Sequence, residues 1–292
     1  MSDNPPRPHP GPAVRRDRSI GALLVDGKNL SPVDAEAVMR YAKEEGLRFG
    51  DAAVRLGLVA RADVERALAR QFDYPYLPPY DESLSRELIA AYAPFSRPVE
   101  ALRALRTQLM LRWFDGNPPR KLLAVVGASR GDGRSYLAAN LAVVFSQQGA
   151  RTLLVDADLR NPRQHELFRV SDRMGLSALL AGRGDAPAIH RIRGLPGLAV
   201  LPAGASPPNP LELLTRPEFA TLLAHLTDEY GVIIIDTPAA TLGADFQGIA
   251  AVAEGVLLVA RRNVTRAADA RGVAESITAT ATTVAGVVLN DH

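Results

Sequence analysis

Residues 122–135 read Leu-Leu-Ala-Val-Val-Gly-Ala-Ser-Arg-Gly-Asp-Gly-Arg-Ser, and they indicate the class of fold more strongly than any other part of the chain. The apolar start is typical of a short buried strand, and the residues after Ser135 continue with helical spacing. A strand, a glycine-rich turn and a helix in this order bind phosphate, because the curled backbone points several N–H groups at one anion. We therefore expect a nucleotide site here.

One position departs from the usual pattern of such loops, which is Gly or Ala, four residues, then Gly-Lys-Ser/Thr. Ala128 takes the first place and Ser135 the last, but Arg134 stands where lysine is usual. Lysine is a compact charge that reaches the β- and γ-phosphates, whereas arginine is longer, planar and forked. Phosphate binding can rest on the backbone amides, so the property that this exchange threatens is fast phosphoryl transfer.

Two further apolar segments end in carboxylates. Leu153-Leu-Val-Asp156 is followed by Ala-Asp158, and Ile233-Ile-Ile-Asp236 is followed by Thr-Pro. Ligands of open α/β sheets bind beyond the carboxyl ends of the strands, and Mg²⁺ is held by carboxylates, water and phosphate oxygens. A single aspartate at a strand end is more commonly a helix N-cap. The three motifs together, in this order, predict a site for ATP and Mg²⁺.

Short apolar segments alternate with helical patterns over the rest of this region. The predicted strands are Leu122–Val126, Thr152–Val155, Leu198–Leu201, Val232–Ile235, Val256–Val259 and Val284–Leu289. Apolar strands separated by helices indicate a parallel sheet that is buried on both faces. The expected fold class is therefore α/β: a P-loop NTPase with a mostly parallel, doubly wound sheet, plus a small helical N-terminal domain.

The predicted organisation has four parts. Residues 1–17 form a disordered, basic, proline-rich tail, and residues 18–80 form a helical module of two similar copies that begin near Arg18 and Arg48. Residues 81–96 form a linker with a short helix, because the prolines between Tyr74 and Tyr80 interrupt regular structure. Residues 97–292 form the ATP-binding domain.

Composition excludes several classes of function. The formal net charge is only +2, with arginine spread among acidic residues, so nucleic acid is not an expected partner. The chain has no cysteine, which excludes disulfides, thiolate zinc sites and cysteine nucleophiles. No apolar run approaches the roughly 20 residues that cross a bilayer. This composition is compatible with the cytosol, and if the protein works at a membrane, a partner holds it there.

These motifs resemble those of the bacterial tyrosine kinases (BY-kinases) of exopolysaccharide and capsule synthesis, particularly the chain-length-determinant autokinases. Three more segments support the resemblance, which covers residues 97–292: Glu100-x2-Arg103-x2-Arg106, Asp156-Ala-Asp-Leu-Arg-Asn-Pro162, and residues 201–214. Septum-positioning and partition ATPases share this branch of P-loop proteins, but Ser129 occupies the place of their additional signature lysine. A partition-type positioning ATPase is therefore the third hypothesis, after a tyrosine kinase and a weakly catalytic ATP-binding scaffold or switch.

The resemblance implies a role for each site residue. Nucleotide-binding residues are Ser129, Arg130, Gly131, Asp132, Gly133, Arg134, Ser135 and Tyr136. Metal-binding residues are Ser135, Asp158 and Asp236. Catalytic residues are Arg134, Asp156, Asp158 and Asp236, with Asp156 as the acceptor of the substrate proton. Glu100, Arg103 and Arg106 form an interface between subunits of a ring, and the cytoplasmic tail of a membrane chain-length-determinant protein is the implied partner.

Two features depart from the resemblance. The family usually ends in a cluster of tyrosines that are autophosphorylated, whereas this sequence has no tyrosine after Tyr230. Tyr74, Tyr76 and Tyr80 are alternative acceptors, although packing beside prolines is the commoner role for such residues. The N-terminal module resembles that of type II secretion and pilus ATPases. Some of those modules bind cyclic di-GMP, which makes this dinucleotide an alternative to a simple protein-docking role.

Overall fold

The computed structural model describes residues 19–72, 74–183 and 188–291, and the chain divides into two compact units between Tyr74 and Pro75. The predicted tail over residues 1–17 lies outside the described residues. No helix within these described ranges is both long enough and apolar enough to span a membrane.

The smaller unit is built from two helix pairs. Its helices are α1 (Ile20–Asp26), α2 (Pro32–Glu44), α3 (Phe49–Arg55) and α4 (Arg61–Gln71). Ser31 accepts the N–H of Asp34 and starts α2, with a proline at its first turn. The side chains of Leu24, Val38 and Val64 form a small apolar core.

The two pairs repeat with a period of 29 residues, because Ile20 and Phe49 start α1 and α3, and Pro32 and Arg61 start α2 and α4. This period aligns Gly21 with Gly50, where helices approach closely: a Cβ atom at Gly50 would lie 2.6 Å from the Val64 side chain. It also aligns Ser19, not Arg18, with Arg48. The expected pairing of Arg18 with Arg48 therefore does not follow the structural repeat, and Arg18 itself lies outside the described residues.

Seven strands of the described part of the larger unit form one sheet in the order β3-β4-β2-β5-β1-β6-β7. Their bounds are β1 (Leu122–Gly127), β2 (Thr152–Asp156), β3 (His190–Arg191), β4 (Leu198–Leu201), β5 (Val232–Asp236), β6 (Gly255–Arg261) and β7 (Thr283–Asn290). All pairs are parallel except β3 with β4. The predicted doubly wound sheet is confirmed, and the missed strand is the two-residue edge β3, which is too short to give a pattern.

Helices cover both faces of this sheet and enclose one apolar core on each. They are α5 (Ile89–Tyr92), α6 (Arg97–Leu109) with a π-helical end at Met110–Phe114, α7 (Arg134–Gln147), α8 (Gln164–Phe168), α9 (Leu176–Leu180), α10 (Pro210–Leu214), α11 (Pro217–Glu229), α12 (Asp245–Val252) and α13 (Ala267–Thr278), with a 3₁₀ turn at Ala240–Leu242. Because neighbouring parallel strands end at the same edge, β1, β2 and β5 deliver their motifs to one place.

Helix α7 follows the glycine-rich loop and is buried nearly all round, from Leu137 to Gln147. One side packs on the sheet, and the other is covered by α6 and by residues 75–96. The prediction of a linker over residues 81–96 is wrong for this reason. Leu84, Leu88 and Ala91 are buried in the same core as α7, so the segment belongs to the larger unit.

Two buried amide side chains of α7 attach that segment. Asn140 accepts the Ala90 N–H at 3.0 Å and donates to the Glu87 carbonyl at 3.0 Å. Gln147 donates to the carbonyls of Pro75 and Ala90, at 2.9 and 2.8 Å. Polar groups buried this deeply need partners, so each side chain satisfies irregular backbone that has no ladder of its own.

We expect Asn140→Leu to lower the free energy of unfolding of the larger unit by about 2–4 kcal/mol, because it leaves the Ala90 N–H and the Glu87 carbonyl buried without partners. Trp113 is the only tryptophan, is buried in this unit, and reports its unfolding in urea by fluorescence. Gln148→Leu, at an exposed amide just past α7, is the control and should change stability by less than about 0.5 kcal/mol. Equal effects of the two changes would contradict the proposed attachment.

Candidate nucleotide site

The glycine-rich loop joins β1 to α7 through two left-handed glycines. Gly131 has φ of 84° and Gly133 has φ of 95°, a conformation that other residues adopt at a cost. A Cβ atom at Gly133 would also lie 2.1 Å from the Asn290 amide nitrogen. Both the backbone conformation and this close approach therefore favour glycine here. The loop and the start of α7 line a cavity of 480 Å³. Its wall contains Arg130, Gly131, Gly133, Arg134, Ser135, Tyr136, Asp158, Asn161, Pro162, Arg163, Glu166 and Leu242.

Asp132 holds the loop in shape from behind. Its carboxylate is fully buried, accepts the Ser129 N–H at 2.7 Å, and accepts the Thr265 hydroxyl at 2.7 Å. The Asn290 amide donates to the Asp132 carbonyl at 3.1 Å. Asp132 and Ser129 were both predicted to bind nucleotide, but neither side chain lines the cavity. Thr265 and Asn290 had no signal in the sequence, because the fold brings them to the loop from the turn after β6 and from the end of β7.

Arg134 lies across the base of the loop. Its Nε donates to the Thr237 carbonyl at 3.1 Å, and its Nη1 donates to the Ser129 carbonyl at 2.6 Å. The side chain stem packs on Gly127, where a Cβ atom would lie 3.1 Å from Arg134 Cγ. The residue is only 7% exposed. The guanidinium therefore ties the loop to the end of β5 through two of its fixed donors.

The three predicted carboxylates meet beside the loop. Asp156 and Asp236 are register partners at the ends of the neighbouring strands β2 and β5, and both are fully buried. Asp156 accepts the N–H groups of Asp158, Arg163 and Gln164, so both of its oxygens are occupied. Through the N–H groups of Arg163 and Gln164 it caps the start of α8, and it does not line the cavity. Asp158 is the one of these three carboxylates that lines the cavity.

Gln164 joins the motifs to one another and was missed by the sequence analysis. Its buried amide donates to the Ser135 carbonyl at 3.1 Å and to Asp236 Oδ2 at 2.7 Å. Gln164 Oε1 and Asp236 Oδ1 are buried, and neither accepts a hydrogen bond from the described residues. Two acceptor oxygens in such a position suit a hydroxyl, a water molecule or a hydrated cation.

Burial and mutual repulsion perturb the carboxyl pair. Burial raises the pKa of Asp236 to about 6, although donors at Gln164 and Ser135 and the charge of Arg134 act in the opposite direction. Burial, and then the charge of Asp236, raise the pKa of Asp156 well above its usual value. Desolvation is the largest cause of both shifts, and it disfavours the charged form of each carboxyl group.

The predicted subunit interface on α6 is divided between two environments. Glu100 is mostly exposed and forms an ion pair with Arg103, one turn further along the helix. Arg106 instead donates to the Val144 carbonyl of α7 at 2.8 Å. At least one of the three residues therefore supports the packing of α6 on α7, and an interface role remains a prediction.

We expect Asp236→Asn to stabilise the larger unit at pH 8 by about 1–3 kcal/mol. An aspartate of the unfolded chain titrates near pH 4, whereas Asp236 titrates at about 6. Below pH 4 both states hold the proton, so the shift has no effect. As the pH rises from 4 to about 6, the unfolded chain releases the proton before the native state does. The free energy of unfolding therefore falls, by about 2–3 kcal/mol. Asparagine removes this penalty and keeps an acceptor for Gln164.

Urea unfolding of Asp236→Asn, followed by Trp113 fluorescence at pH 8 and pH 4.5, measures the effect. The gain should shrink at the lower pH, and the exposed Asp228→Asn should show no such trend. A variant that is no more stable than the parent at pH 8 would show that the buried charge carries no penalty.

Comparison with known proteins agrees with this geometry, although no protein-family model matches the chain. The tyrosine-protein kinase YwqD of Bacillus subtilis is 33% identical over 207 residues, which are 71% of this chain and 86% of YwqD. The tyrosine-protein kinase Etk of Escherichia coli K12 is 33% identical over 202 residues, 69% of this chain but only 28% of Etk.

The likeness extends to three dimensions. The solved kinase domain of the Escherichia coli tyrosine kinase ETK superposes with a TM-score of 0.66 at 31% identity, over 74% of this chain and 80% of that one. The predicted resemblance to the tyrosine kinases and the predicted P-loop fold are therefore confirmed. Because the match to YwqD covers most of both proteins, the chain belongs to the family of bacterial tyrosine-protein kinases.

Proposed function

We propose that this chain is an ATP-dependent protein tyrosine kinase that phosphorylates its own tyrosine side chains and acts in polysaccharide assembly. One observation carries the proposal. The glycine-rich loop, Ser135 and Asp158 line one cavity, and the Gln164 amide joins the Ser135 carbonyl to the buried Asp236 carboxylate. The cavity holds three arginines and two acidic residues, so it favours an anion. Membership of the tyrosine kinase family supports the choice of reaction.

The residues present fit a triphosphate with Mg²⁺. Backbone amides from Gly131 to Ser135, at the N-terminus of a 14-residue helix, would receive the phosphates. Ser135, Asp158 and the unpaired oxygen of Asp236 would hold Mg²⁺ directly or through water. When bound, the ion neutralises charge on the transferring phosphoryl group.

The geometry changes one role that the resemblance implied. Asp156, expected to accept the substrate proton, already accepts three backbone N–H groups behind the cavity. We assign it to positioning of the 158–164 loop. Asp158 uses Oδ1 to accept the N–H groups of Arg160 and Asn161, at 3.2 and 2.8 Å, and its carboxylate meets the cavity. We propose that Asp158 approaches the attacking tyrosine hydroxyl and meets Mg²⁺ through water, so that its second oxygen is able to accept the proton.

The partners follow from the same proposal. Etk is more than three times as long as the segment it shares with this chain. We propose that the partner is a membrane chain-length protein, that its cytoplasmic tail completes the site, and that it holds the kinase at the inner face of the plasma membrane. The exposed carboxylate of Glu100 would take part in a ring of subunits. Cyclic di-GMP has no part in the proposal. Its binding was expected from arginines at matching places in the two copies, and the 29-residue structural repeat does not pair Arg18 with Arg48.

Solvent exposure of the tyrosine side chains indicates which of them accepts the phosphoryl group. All seven tyrosines lie within the described residues, and Tyr80 is the only exposed one, at 79%. With labelled ATP and Mg²⁺, we expect tyrosine label in the wild type, strong loss in Tyr80→Phe, and no label in Asp158→Asn. Tyr74→Phe and Tyr76→Phe are matched controls from the same segment and should keep the label. Phosphopeptide mapping identifies the site directly.

The labelling is measured with and without the cytoplasmic tail of the membrane partner. No tyrosine label under either condition would overturn the kinase proposal. Label that persists in Tyr80→Phe but is lost in Asp158→Asn would keep the enzyme and reject the acceptor.

A second candidate function is an ATP-binding scaffold without useful catalysis, and the tether of Arg134 favours it. The guanidinium is bonded to two backbone carbonyls, so it is not directed at the terminal phosphates as a loop lysine is. A scaffold of this kind would still bind nucleotide through backbone amides.

Arg134→Lys separates the two functions. If the wild type is a kinase, we expect the variant to label at a rate within about tenfold of it. This corresponds to a change of less than about 1.4 kcal/mol in the activation barrier. If the wild type is a scaffold, it binds MgATP without labelling and the restored lysine raises labelling by more than that. Binding of MgATP by calorimetry is measured on both proteins, so that loss of the site is not mistaken for loss of chemistry.

A further inference from the structure

The tether of Arg134 raises the question of which cation meets the terminal phosphates. Withdrawing its guanidinium would leave the Ser129 and Thr237 carbonyls without their donor, in a place where Arg134 is only 7% exposed. A buried acceptor without a partner is costly. A second, more mobile cation on the same cavity would serve the phosphates without that loss.

Arg163 lines the same cavity as Arg134. Its backbone N–H donates to Asp156 Oδ2 at 3.1 Å, so the carboxylate that ends β2 fixes its position. Its side chain is 43% exposed, and the guanidinium donates to Glu87 Oε1 at 2.8 Å. The backbone N–H is therefore fixed by a buried carboxylate, whereas the guanidinium's partner among the described residues is the half-exposed Glu87 carboxylate.

Glu87 is placed by the segment that covers α7. Its carbonyl accepts from Asn140, and its side chain is 47% exposed and paired with Arg163, which lines the cavity. Tyr136, which lines the cavity, has a raised pKa because of burial and, secondarily, the Glu87 charge. An ion pair this exposed is weak. A triphosphate carries several negative charges and accepts the arginine fork on two oxygens, so it outcompetes one carboxylate.

The other charges on the cavity agree with this exchange. Arg130 and Arg134 are cationic, whereas Asp158 and Glu166 are anionic. Glu166 follows Arg163 by three residues and repels an incoming phosphate, so a cation is needed beside it. A bound divalent metal would offset Asp158, and Arg163 would offset Glu166.

We propose that Arg163 is a phosphate-binding residue of this nucleotide site, and that it reaches the terminal phosphates by exchanging Glu87 for them. The inference rests on the proposed function, because it requires that MgATP occupies the cavity. It assigns to Glu87 the role of a competing anion that lowers affinity for the triphosphate.

Calorimetric titration of the full chain with MgATP and MgADP tests this, using Arg163→Gln, Arg163→Lys, Glu87→Gln and the double variant. We expect Arg163→Gln to weaken MgATP binding about tenfold or more and MgADP binding less, and Arg163→Lys to lie between. Glu87→Gln should tighten MgATP binding up to about fivefold. That gain should vanish when Arg163 is already glutamine, because the two residues act through one contact.

Arg169→Gln is the matched control. This exposed arginine lies six residues further along, donates to the Glu82 carbonyl, and does not line the cavity. It should leave both affinities unchanged. Unfolding followed by Trp113 fluorescence confirms that each variant is folded, and Arg163→Lys provides a second variant if Arg163→Gln is not.

The outcomes separate the inference from the proposed function. If the folded wild type binds neither nucleotide, both are overturned. If it binds MgATP and Arg163→Gln binds equally well, the inference alone is overturned. The same holds if Glu87→Gln tightens binding equally in the presence and absence of Arg163.

Discussion

The register of β2 against β5 is the constraint on which the site depends. It places Asp156 directly opposite Asp236, both fully buried, at the edge of the sheet where the glycine-rich loop begins. Two neighbouring carboxylates in such a place are unfavourable unless donors surround them. Three backbone N–H groups serve Asp156, and the Gln164 amide serves Asp236. The loop over residues 158–164 therefore has its conformation because these carboxylates need its amides.

The same donors define what remains for chemistry. Both oxygens of Asp156 accept backbone N–H groups. One buried oxygen of Asp236 accepts no hydrogen bond from the part of the chain that the structure describes, and Asp158 lines the cavity. Destabilised polar groups that persist in a fold commonly mark functional sites. The stability lost to the buried pair is recovered in the extensive apolar cores on both faces of the sheet. A sheet of this depth can hold a strained edge that a smaller domain could not.

Much of this could be predicted from the sequence, and the parts that could not share a physical reason. The loop at residues 127–135 and the aspartates at positions 156, 158 and 236 are local patterns, because each follows an apolar strand directly. Gln164, Thr265 and Asn290 come from other elements, and only the folded sheet brings them to the loop. Sequence patterns show which residues end a strand, but they do not show which backbone amides will occupy a carboxylate. The hydrogen bonds that the carboxylates of Asp132 and Asp156 accept could not be predicted for that reason, and the roles of both residues at the site remain predictions.

The segment at residues 75–96 is a second case in which local sequence patterns did not predict the structure. Prolines and the absence of a long period predicted a linker, since nothing local indicates that Leu84 and Leu88 are buried. The amides of Asn140 and Gln147, inside a helix, make that burial possible by satisfying irregular backbone. A consequence follows for the site: the helix that starts at the phosphate loop is held on its outer side by the segment that carries Glu87. Hydrogen bonds join this segment to the helix, and the Glu87 carboxylate joins it to Arg163 on the cavity wall.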